Sequence, residues 1–192
     1  SPAAPLSGML TAGTRLQRGK FSVGKVLGQG GFGITYLGGD ATIGRSVAIK
    51  EFFPQGCMRQ GTTVVPSGVI TSADYLAGRS RFLEEARILG QFHHRGIVQV
   101  HTVFEENNTA YMVMEFVKGR TLLSLLEERG PLPEQEVVRD IEQAGDALSV
   151  VHQAELLHRD VKPDNLMLSE TGDVVLIDFG TTRLPRGKSE AH

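Results

Sequence analysis

Five short runs of β-forming residues occupy the first part of the chain, and they constrain its fold more than any other feature. The runs cover residues 21–27, 34–37, 46–52, 97–104 and 110–116, with turn residues between them. This spacing predicts an antiparallel sheet. A helical stretch over about residues 79–90 interrupts the series between the third run and the fourth.

Beyond residue 118 the sequence becomes helical. A leucine-rich stretch over residues 121–129 closes on Gly130, and Pro133 opens a second helix that runs to about residue 154. In that helix, apolar residues recur at helical spacing at Val137, Ile141, Ala144, Leu148 and Val151. Two further β runs, residues 166–168 and 174–177, surround a turn.

These elements predict an α+β fold in three parts. Residues 1–13, which are rich in Pro, Ala, Gly and Ser, form a flexible N-terminal segment. Residues 14–116 form a lobe with a five-stranded antiparallel sheet and one main helix, and residues 117–192 begin a helical lobe.

Composition excludes several classes of function. The chain has 20 basic and 22 acidic residues, a net charge of -2, and no basic run that could follow a nucleic-acid backbone. No apolar stretch approaches the roughly 18 residues of a membrane-spanning helix. With a single cysteine, Cys57, the sequence favours a reducing compartment. We expect a cytoplasmic segment that contacts neither nucleic acid nor membrane.

A glycine-rich stretch, Gly-Gln-Gly-Gly-Phe-Gly over residues 28–33, lies between two β runs. A hairpin loop without side chains lets backbone amides approach phosphate groups. A dinucleotide-binding motif would need a helix directly after the glycines, whereas residues 34–37 resemble a strand.

The third β run contains Val-Ala-Ile-Lys, residues 47–50. Strand alternation places Ala48 and Lys50 on one face, and a small residue beside a lysine suits a nucleotide pocket. Taken alone, the motif would favour a solvated lysine at the end of a strand, but the glycine loop ahead of it favours Lys50 as a phosphate contact.

A lysine that binds phosphate needs a carboxylate to hold it, and the helix near residue 85 offers Glu84 and Glu85. Glu85 shares an apolar stripe with Phe82, Ala86 and Leu89, while Glu84 lies on the side of two arginines. We therefore predict an ion pair between Lys50 and Glu85.

The most specific motif is His-Arg-Asp-Val-Lys-Pro-Asp-Asn over residues 158–165, followed by Asp-Phe-Gly over residues 178–180. With the two earlier motifs in order, the chain resembles a protein kinase from about residue 16 to residue 183. The resemblance implies that Asp160 is the catalytic base and that Lys162 contacts the transferred phosphate. It further implies that Asn165 and Asp178 bind Mg²⁺.

The same resemblance implies an ATP site. The glycine loop and the Lys-Glu-Phe-Phe-Pro phrase at residues 50–54 look most like the Ser/Thr kinases of bacteria. A lysine at position 162 resembles Ser/Thr kinases rather than tyrosine kinases. Met114 would be the gatekeeper, and the Glu115 carbonyl and Val117 amide would bind adenine. The implied nucleotide contacts are Leu27, Gly28, Gln29, Gly30, Gly31, Phe32, Gly33, Thr35, Ala48, Lys50, Met114, Glu115, Val117 and Met167.

Two departures from the family pattern stand out. Residues 54–78 form an insertion, with a small hairpin expected over residues 64–70, and we hypothesise that it makes the Glu85 helix mobile. The sequence also ends at residue 192, twelve residues after Gly180, without the Ala-Pro-Glu motif or the later helices of the family. We expect a truncated catalytic domain that dimerises or exchanges domains through the stripe on the second helix.

The predicted function is therefore that of an ATP- and Mg²⁺-dependent kinase acting on Ser/Thr hydroxyls of protein substrates. A nucleotide-binding or scaffolding module without turnover is the main alternative. A small-molecule phosphotransferase of related fold is a weaker one.

Overall fold

The computed structural model describes residues 8–121, residue 128 and residues 166–176. These ranges contain eleven strands and one helix. In chain order they are β1 (Arg15–Leu16), β2 (Phe21–Gln29), β3 (Gly33–Asp40), β4 (Arg45–Phe52), β5 (Cys57–Gln60), β6 (Thr63–Pro66), α1 (Ser72–Leu89), β7 (Val100–Glu106), β8 (Thr109–Glu115), β9 (Gly119–Thr121), β10 (Leu166–Ser169) and β11 (Val174–Leu176).

The main sheet has six antiparallel strands in the order β1-β2-β3-β4-β8-β7. All five strands predicted for this lobe are present, so the α+β class with one main helix is confirmed. The sixth strand is β1, which pairs Arg15 with Ser22 and Leu16 with Phe21. Two residues are too few to produce a recognisable alternating pattern.

Strand β4 is central in this sheet, and its side chains alternate between two packed faces. On one face Phe52 packs against α1, with ring centroids 5.6 Å from Tyr75 and 5.7 Å from Phe82. On the opposite face Phe104 stacks on Tyr111 at 5.2 Å. The two faces therefore give β4 a buried environment on both sides.

The chain divides into two compact units. The first contains the six-stranded sheet and most of α1, and the second contains the antiparallel sheet β11-β10-β9. Strands β10 and β11 confirm the two β runs predicted there. The predicted helix from Pro133 and its apolar stripe lie outside the described residues. In the described part of the chain, no helix is both long and apolar enough to cross a membrane.

Helix α1 begins two turns earlier than predicted, at Ser72 rather than near residue 79. Its N-terminus is capped by Thr71, whose Oγ1 accepts a hydrogen bond from the Asp74 amide at 3.1 Å. Thr-x-x-Asp over residues 71–74 is a capping signature that predicts this start. The predicted start near residue 79 placed Gly78, a residue of low helix propensity, outside the helix.

The insertion forms a hairpin, but it is built from β5 and β6 and lies earlier in the chain than the predicted hairpin over residues 64–70. Strand β6 pairs antiparallel with β5 across the two-residue loop Gly61-Thr62, where Gly61 has φ +61°. Val64 exchanges hydrogen bonds of 2.9 Å with the turn between β7 and β8, donating to Asn107 O and accepting from Asn108 Nδ2. These bonds fasten the insertion to the sheet. That the insertion makes α1 mobile stays a hypothesis, which hydrogen exchange of the helix would test.

The N-terminal segment also differs from its prediction, since residues 8–13 pack on the sheet. Leu10 is buried, and its amide donates to Tyr36 Oη at 3.0 Å. The Gly13 amide donates to Val23 O at 2.7 Å. Leu10 lies in a segment rich in small residues, and its burial removes apolar surface from water. Residues 1–7 lie outside the described part of the chain.

Candidate nucleotide-binding site

One face of the main sheet brings together four residues predicted to contact the nucleotide. Lys50 lies opposite Thr35 on β3, and Ala48 lies opposite Met114 on β8. Directly opposed residues in an antiparallel sheet share a face. Ala48 and Met114 are buried, while Lys50 and Thr35 are half-buried. An ammonium group thus lies beside a small apolar surface.

The glycine loop connects β2 to β3 as the predicted hairpin, and a strand rather than a helix follows it. Within the loop, the Gly30 amide donates to Gly33 O at 2.9 Å. Gly31 O accepts from the Gln55 amide at 2.8 Å, and Phe32 O accepts from the Phe53 amide at 3.1 Å. The loop is therefore tied to the segment that follows β4.

The glycines of this loop differ in whether the fold itself requires them. A Cβ on Gly33 would lie 2.8 Å from the Glu51 carbonyl oxygen, so the packing of β3 on β4 demands glycine there. A Cβ on Gly28, Gly30 or Gly31 would meet nothing within 4 Å, and none of the three has φ in the left-handed region. Packing does not explain these three, and they leave the backbone open to a ligand.

Leu27, immediately before the loop, is an apolar side chain exposed to solvent. It lies at an irregularity in the pairing of β2 with β3, between Val26 opposite Tyr36 and Gly28 opposite Thr35. Its exposed fraction is 42%. An exposed leucine beside an open backbone suits contact with a flat apolar ring, as the resemblance implied for adenine.

Helix α1 presents Glu85 on its inward stripe. Phe82, Ala86 and Leu89 are buried, the Glu85 side chain is 27% exposed, and Glu84 is exposed. The predicted placement of Glu85 is therefore confirmed. Arg81, expected beside Glu84, instead donates to Glu85 Oε1 at 3.1 Å. The ion pair between Lys50 and Glu85 stays a prediction.

The other predicted residues fall into two groups. Glu115, Val117 and Met167 are half-buried, and Met167 lies in the second unit opposite Val175 on β11. Their contacts to adenine stay predictions. The four residues predicted to perform or support the transfer lie outside the described residues: Asp160, Lys162, Asn165 and Asp178.

Glu51, directly after Lys50, is a polar residue to which the sequence analysis assigned no role of its own. Its carboxylate is fully buried and pairs with the Arg59 guanidinium. It accepts hydrogen bonds from Tyr36 Oη at 3.1 Å and from Tyr111 Oη at 2.5 Å. Burial raises the pKa of Glu51, while Arg59 and the hydroxyl groups oppose the rise. In sequence it resembles a surface residue of an alternating strand.

The Protein kinase domain family matches residues 21–192 of this chain. Serine/threonine-protein kinase PknL of Mycobacterium tuberculosis is 34% identical over 181 residues, which are 91% of this chain and 41% of that protein. The chain therefore spans less than half of that relative's length.

Solved kinase structures show the same fold. The apo form of PpkA-294 matches with a TM-score of 0.83 and 34% identity, covering 92% of this chain and 63% of that one. Rad53 1-466 in complex with AMP-PNP matches with a TM-score of 0.67 and 27% identity, covering 85% and 39%. This chain belongs to the protein kinase family. Among its relatives, PknL is a bacterial serine/threonine-protein kinase, as the motifs had implied.

Proposed function

We propose that this chain carries the nucleotide site of a protein serine/threonine kinase and transfers the γ-phosphate of ATP to hydroxyl groups of proteins. One observation carries the proposal. Gly28, Gly30 and Gly31 have no packing reason to be glycine, and they stand beside a sheet face that holds Ala48 and Lys50. An exposed backbone next to a lysine is suited to phosphate groups.

In this proposal the adenine ring and the phosphates of ATP are held by different kinds of contact. The adenine ring packs on Leu27, Ala48 and Met114, whose apolar surfaces favour a flat ring. The phosphates approach the amides of the glycine loop, and Lys50 pairs with the α- and β-phosphates. Glu85 orients the Lys50 ammonium group. The backbone of Glu115 and Val117 provides the hydrogen bonds that select adenine.

The transfer step uses residues of the His-Arg-Asp and Asp-Phe-Gly motifs. Asp160 accepts the proton of the substrate hydroxyl as its oxygen attacks the γ-phosphorus, and ADP leaves with the electrons of the broken P–O bond. Lys162 places positive charge beside the transferred phosphate. Asn165 and Asp178, an amide oxygen and a carboxylate, fit a hard cation, and Mg²⁺ held by them would neutralise phosphate charge.

Cellular location and partners belong to the same proposal. A lone cysteine, which cannot form an internal disulfide, fits a reducing compartment, and we place this segment in the cytoplasm. The substrate would be a protein with an accessible serine or threonine. A module that binds ATP without transferring phosphate is the alternative, and the absence of transfer in a chain that binds ATP would favour it.

Lys50→Ala is the direct test of the proposed site. We expect ATP binding with Mg²⁺ to weaken by about tenfold or more, because a charge-assisted contact to phosphate is lost. The melting temperature without ATP should change little, since a half-exposed ion pair contributes about 1 kcal/mol or less. Isothermal titration calorimetry and thermal unfolding measure the two quantities. Lys25→Ala, an exposed lysine on β2, is the control. Equal ATP affinity in the Lys50 and Lys25 variants would contradict the proposal.

Two glycine variants separate ligand binding from folding. Gly30→Ala is expected to weaken ATP binding by about fivefold, with unfolding free energy unchanged within about 0.5 kcal/mol, because its Cβ would meet no protein atom. Gly33→Ala should lower that free energy by roughly 1–3 kcal/mol, because its Cβ would clash with the Glu51 carbonyl. Urea unfolding and ATP titration give both numbers. Equal destabilisation by the two variants would contradict this division.

A further inference from the structure

A buried polar cluster lies directly behind Lys50 and is not used by the proposed reaction. It consists of Glu51 on β4, Arg59 on β5, Tyr36 on β3 and Tyr111 on β8, and we call it the Glu51 cluster. The Glu51 side chain is fully buried and that of Arg59 is 7% exposed.

The Glu51 cluster fixes the position of β4 relative to both neighbouring strands. Tyr111 is the direct cross-strand partner of Glu51, and Tyr36 reaches the same carboxylate from β3. Lys50 is the preceding residue, so its side chain leaves β4 on the opposite face. Anchoring residue 51 on one face therefore sets where the Lys50 ammonium group is presented on the other.

Arg59 joins the insertion and the N-terminal segment to this anchor. Its Nε donates to Gly8 O at 2.7 Å, and its Nη1 donates to Thr62 O at 2.7 Å. The guanidinium also lies over the Phe53 ring, 5.0 Å from the ring centroid. Because these contacts are directed at several atoms of its planar fork, the guanidinium has one geometry in which all are made.

Hydrogen bonds continue from the cluster to helix α1. Tyr111 Oη accepts from Asn107 Nδ2 at 2.9 Å, and the next residue in that turn, Asn108, accepts from Tyr75 Oη at 2.5 Å through its carbonyl. Arg79 also donates to Asn108 Oδ1 at 3.2 Å. Tyr75 and Arg79 belong to the helix that carries Glu85. The same set of contacts thus reaches the supports of both Lys50 and its predicted partner.

Stability alone does not account for a carboxylate and a guanidinium buried in this place. Well-packed apolar residues often replace a buried ion pair with no loss of stability. What such residues do not provide is directional contact. A shift of β4 by one residue would turn Lys50 to the wrong face, and a carboxylate bonded to three different elements opposes that shift.

We propose that Glu51 and Arg59 are positioning residues that hold Lys50 and α1 in the geometry needed to bind the phosphates of ATP. This inference rests on the proposed function. Neither residue touches the nucleotide, so their effect on ATP passes through Lys50. Substituting them should therefore weaken ATP binding only while Lys50 is present.

The test is a double-mutant cycle on nucleotide affinity. Four substitutions are each made with Lys50 and with Lys50→Ala: Arg59→Ala, Arg59→Lys, Glu51→Gln and the control Arg45→Ala. Arg45 is an exposed residue on β4, the strand that carries Glu51. ATP dissociation constants with Mg²⁺ are measured under conditions in which circular dichroism shows that every variant is folded. We expect Arg59→Ala to weaken binding by about 3- to 30-fold with Lys50 present and not to weaken it further with Lys50→Ala.

The remaining variants keep the proposal open to contradiction if Arg59→Ala does not fold. Glu51→Gln preserves shape and removes only the charge, and Arg59→Lys keeps the charge and loses the fork. Both should weaken ATP binding less than Arg59→Ala, and Arg45→Ala should leave it unchanged. Equal losses in the two Lys50 backgrounds, or no loss in folded Glu51→Gln and Arg59→Lys, would overturn the inference.

Failure of the proposed function would look different. A wild-type chain that does not bind ATP would contradict the nucleotide site itself. Hydrogen exchange of the Lys50 amide then decides the structural part of the inference without any nucleotide. Exchange that becomes faster in Glu51→Gln, but not in Arg45→Ala, would support positioning by the cluster, and unchanged exchange would overturn it.

Discussion

Asp160→Asn is expected to abolish phosphate transfer while leaving ATP affinity unchanged. An amide cannot accept the proton of the attacking hydroxyl, and loss of a general base costs on the order of a hundred- to ten-thousandfold in rate. ATP binding is expected to persist because, in the proposed mechanism, Asp160 contacts the substrate hydroxyl rather than the nucleotide. The measurement is transfer from labelled ATP with Mg²⁺ to a generic protein substrate, beside calorimetric titration of ATP.

Asp164→Asn is the matched control for this prediction. Asp164 lies four residues further in the same motif and has no role in the proposed transfer. Its variant should retain most of the activity. Activity that survives in Asp160→Asn would remove Asp160 from the role of base, and ATP binding lost in that variant would assign the residue to the nucleotide instead.

Arg59→Ala is expected to destabilise the fold by about 3–5 kcal/mol near neutral pH, because it leaves the Glu51 carboxylate buried without its cation. Arg81→Ala removes an arginine from the more exposed pair with Glu85 and should cost about 1 kcal/mol or less. Urea unfolding of the two variants beside the wild type gives the comparison. Similar losses in both would show that burial of the Arg59 pair has no energetic consequence.

The loss in Arg59→Ala should also depend on pH, with a sign that follows from the Glu51 pKa. Burial raises that pKa in the folded state, so the folded chain binds the proton more tightly than the unfolded chain. Stability therefore falls as pH rises above the usual glutamate range and through the folded pKa. Arg59 opposes the rise in the Glu51 pKa. Removing Arg59 therefore raises that pKa further, and the pH range over which stability falls extends to higher pH.

The Arg59→Ala loss should accordingly be larger at about pH 8 than at about pH 5.5. Tyr36 and Tyr111 donate hydrogen bonds to the Glu51 carboxylate, and Tyr75 lies within range of its charge. Burial raises the pKa values of all three tyrosines. They stay neutral between these two pH values. A second Arg59 variant, Arg59→Met, allows a further check. Adding Glu51→Gln to Arg59→Met should restore about half or more of the stability that the Arg59 substitution removes, and should abolish the pH dependence of the loss. A loss that is equal at both pH values would contradict the assignment to Glu51.

The sequence predicted the elements whose patterns are local and repeated. Alternation fixed the five main strands, and the helical stripe placed Glu85 rather than Glu84 on the inward side of α1. The face shared by Ala48 and Lys50 followed from strand geometry alone. That Thr35 and Met114 lie on the same face depended on the register of β3 and β8, and the structure provides that register.

What the sequence did not predict depends on contacts between distant residues. Leu10 lies in a segment rich in small residues, and its amide donates to Tyr36, twenty-six positions later in the chain. Glu51 resembles a surface residue until Arg59 and two tyrosines surround it. No local pattern signals such a pairing, because neither periodicity nor propensity records which polar side chain a fold will bury.

The hairpin that carries Arg59 has a consequence for how this lineage of kinases can change. A deletion of β5 and β6 would leave Glu51 buried without its cation. We therefore expect the insertion and the glutamate to be kept or lost together. Kinases related to this chain that lack the hairpin should carry a neutral or apolar residue at the position after the strand lysine. Those that keep both strands should keep the glutamate and the arginine together.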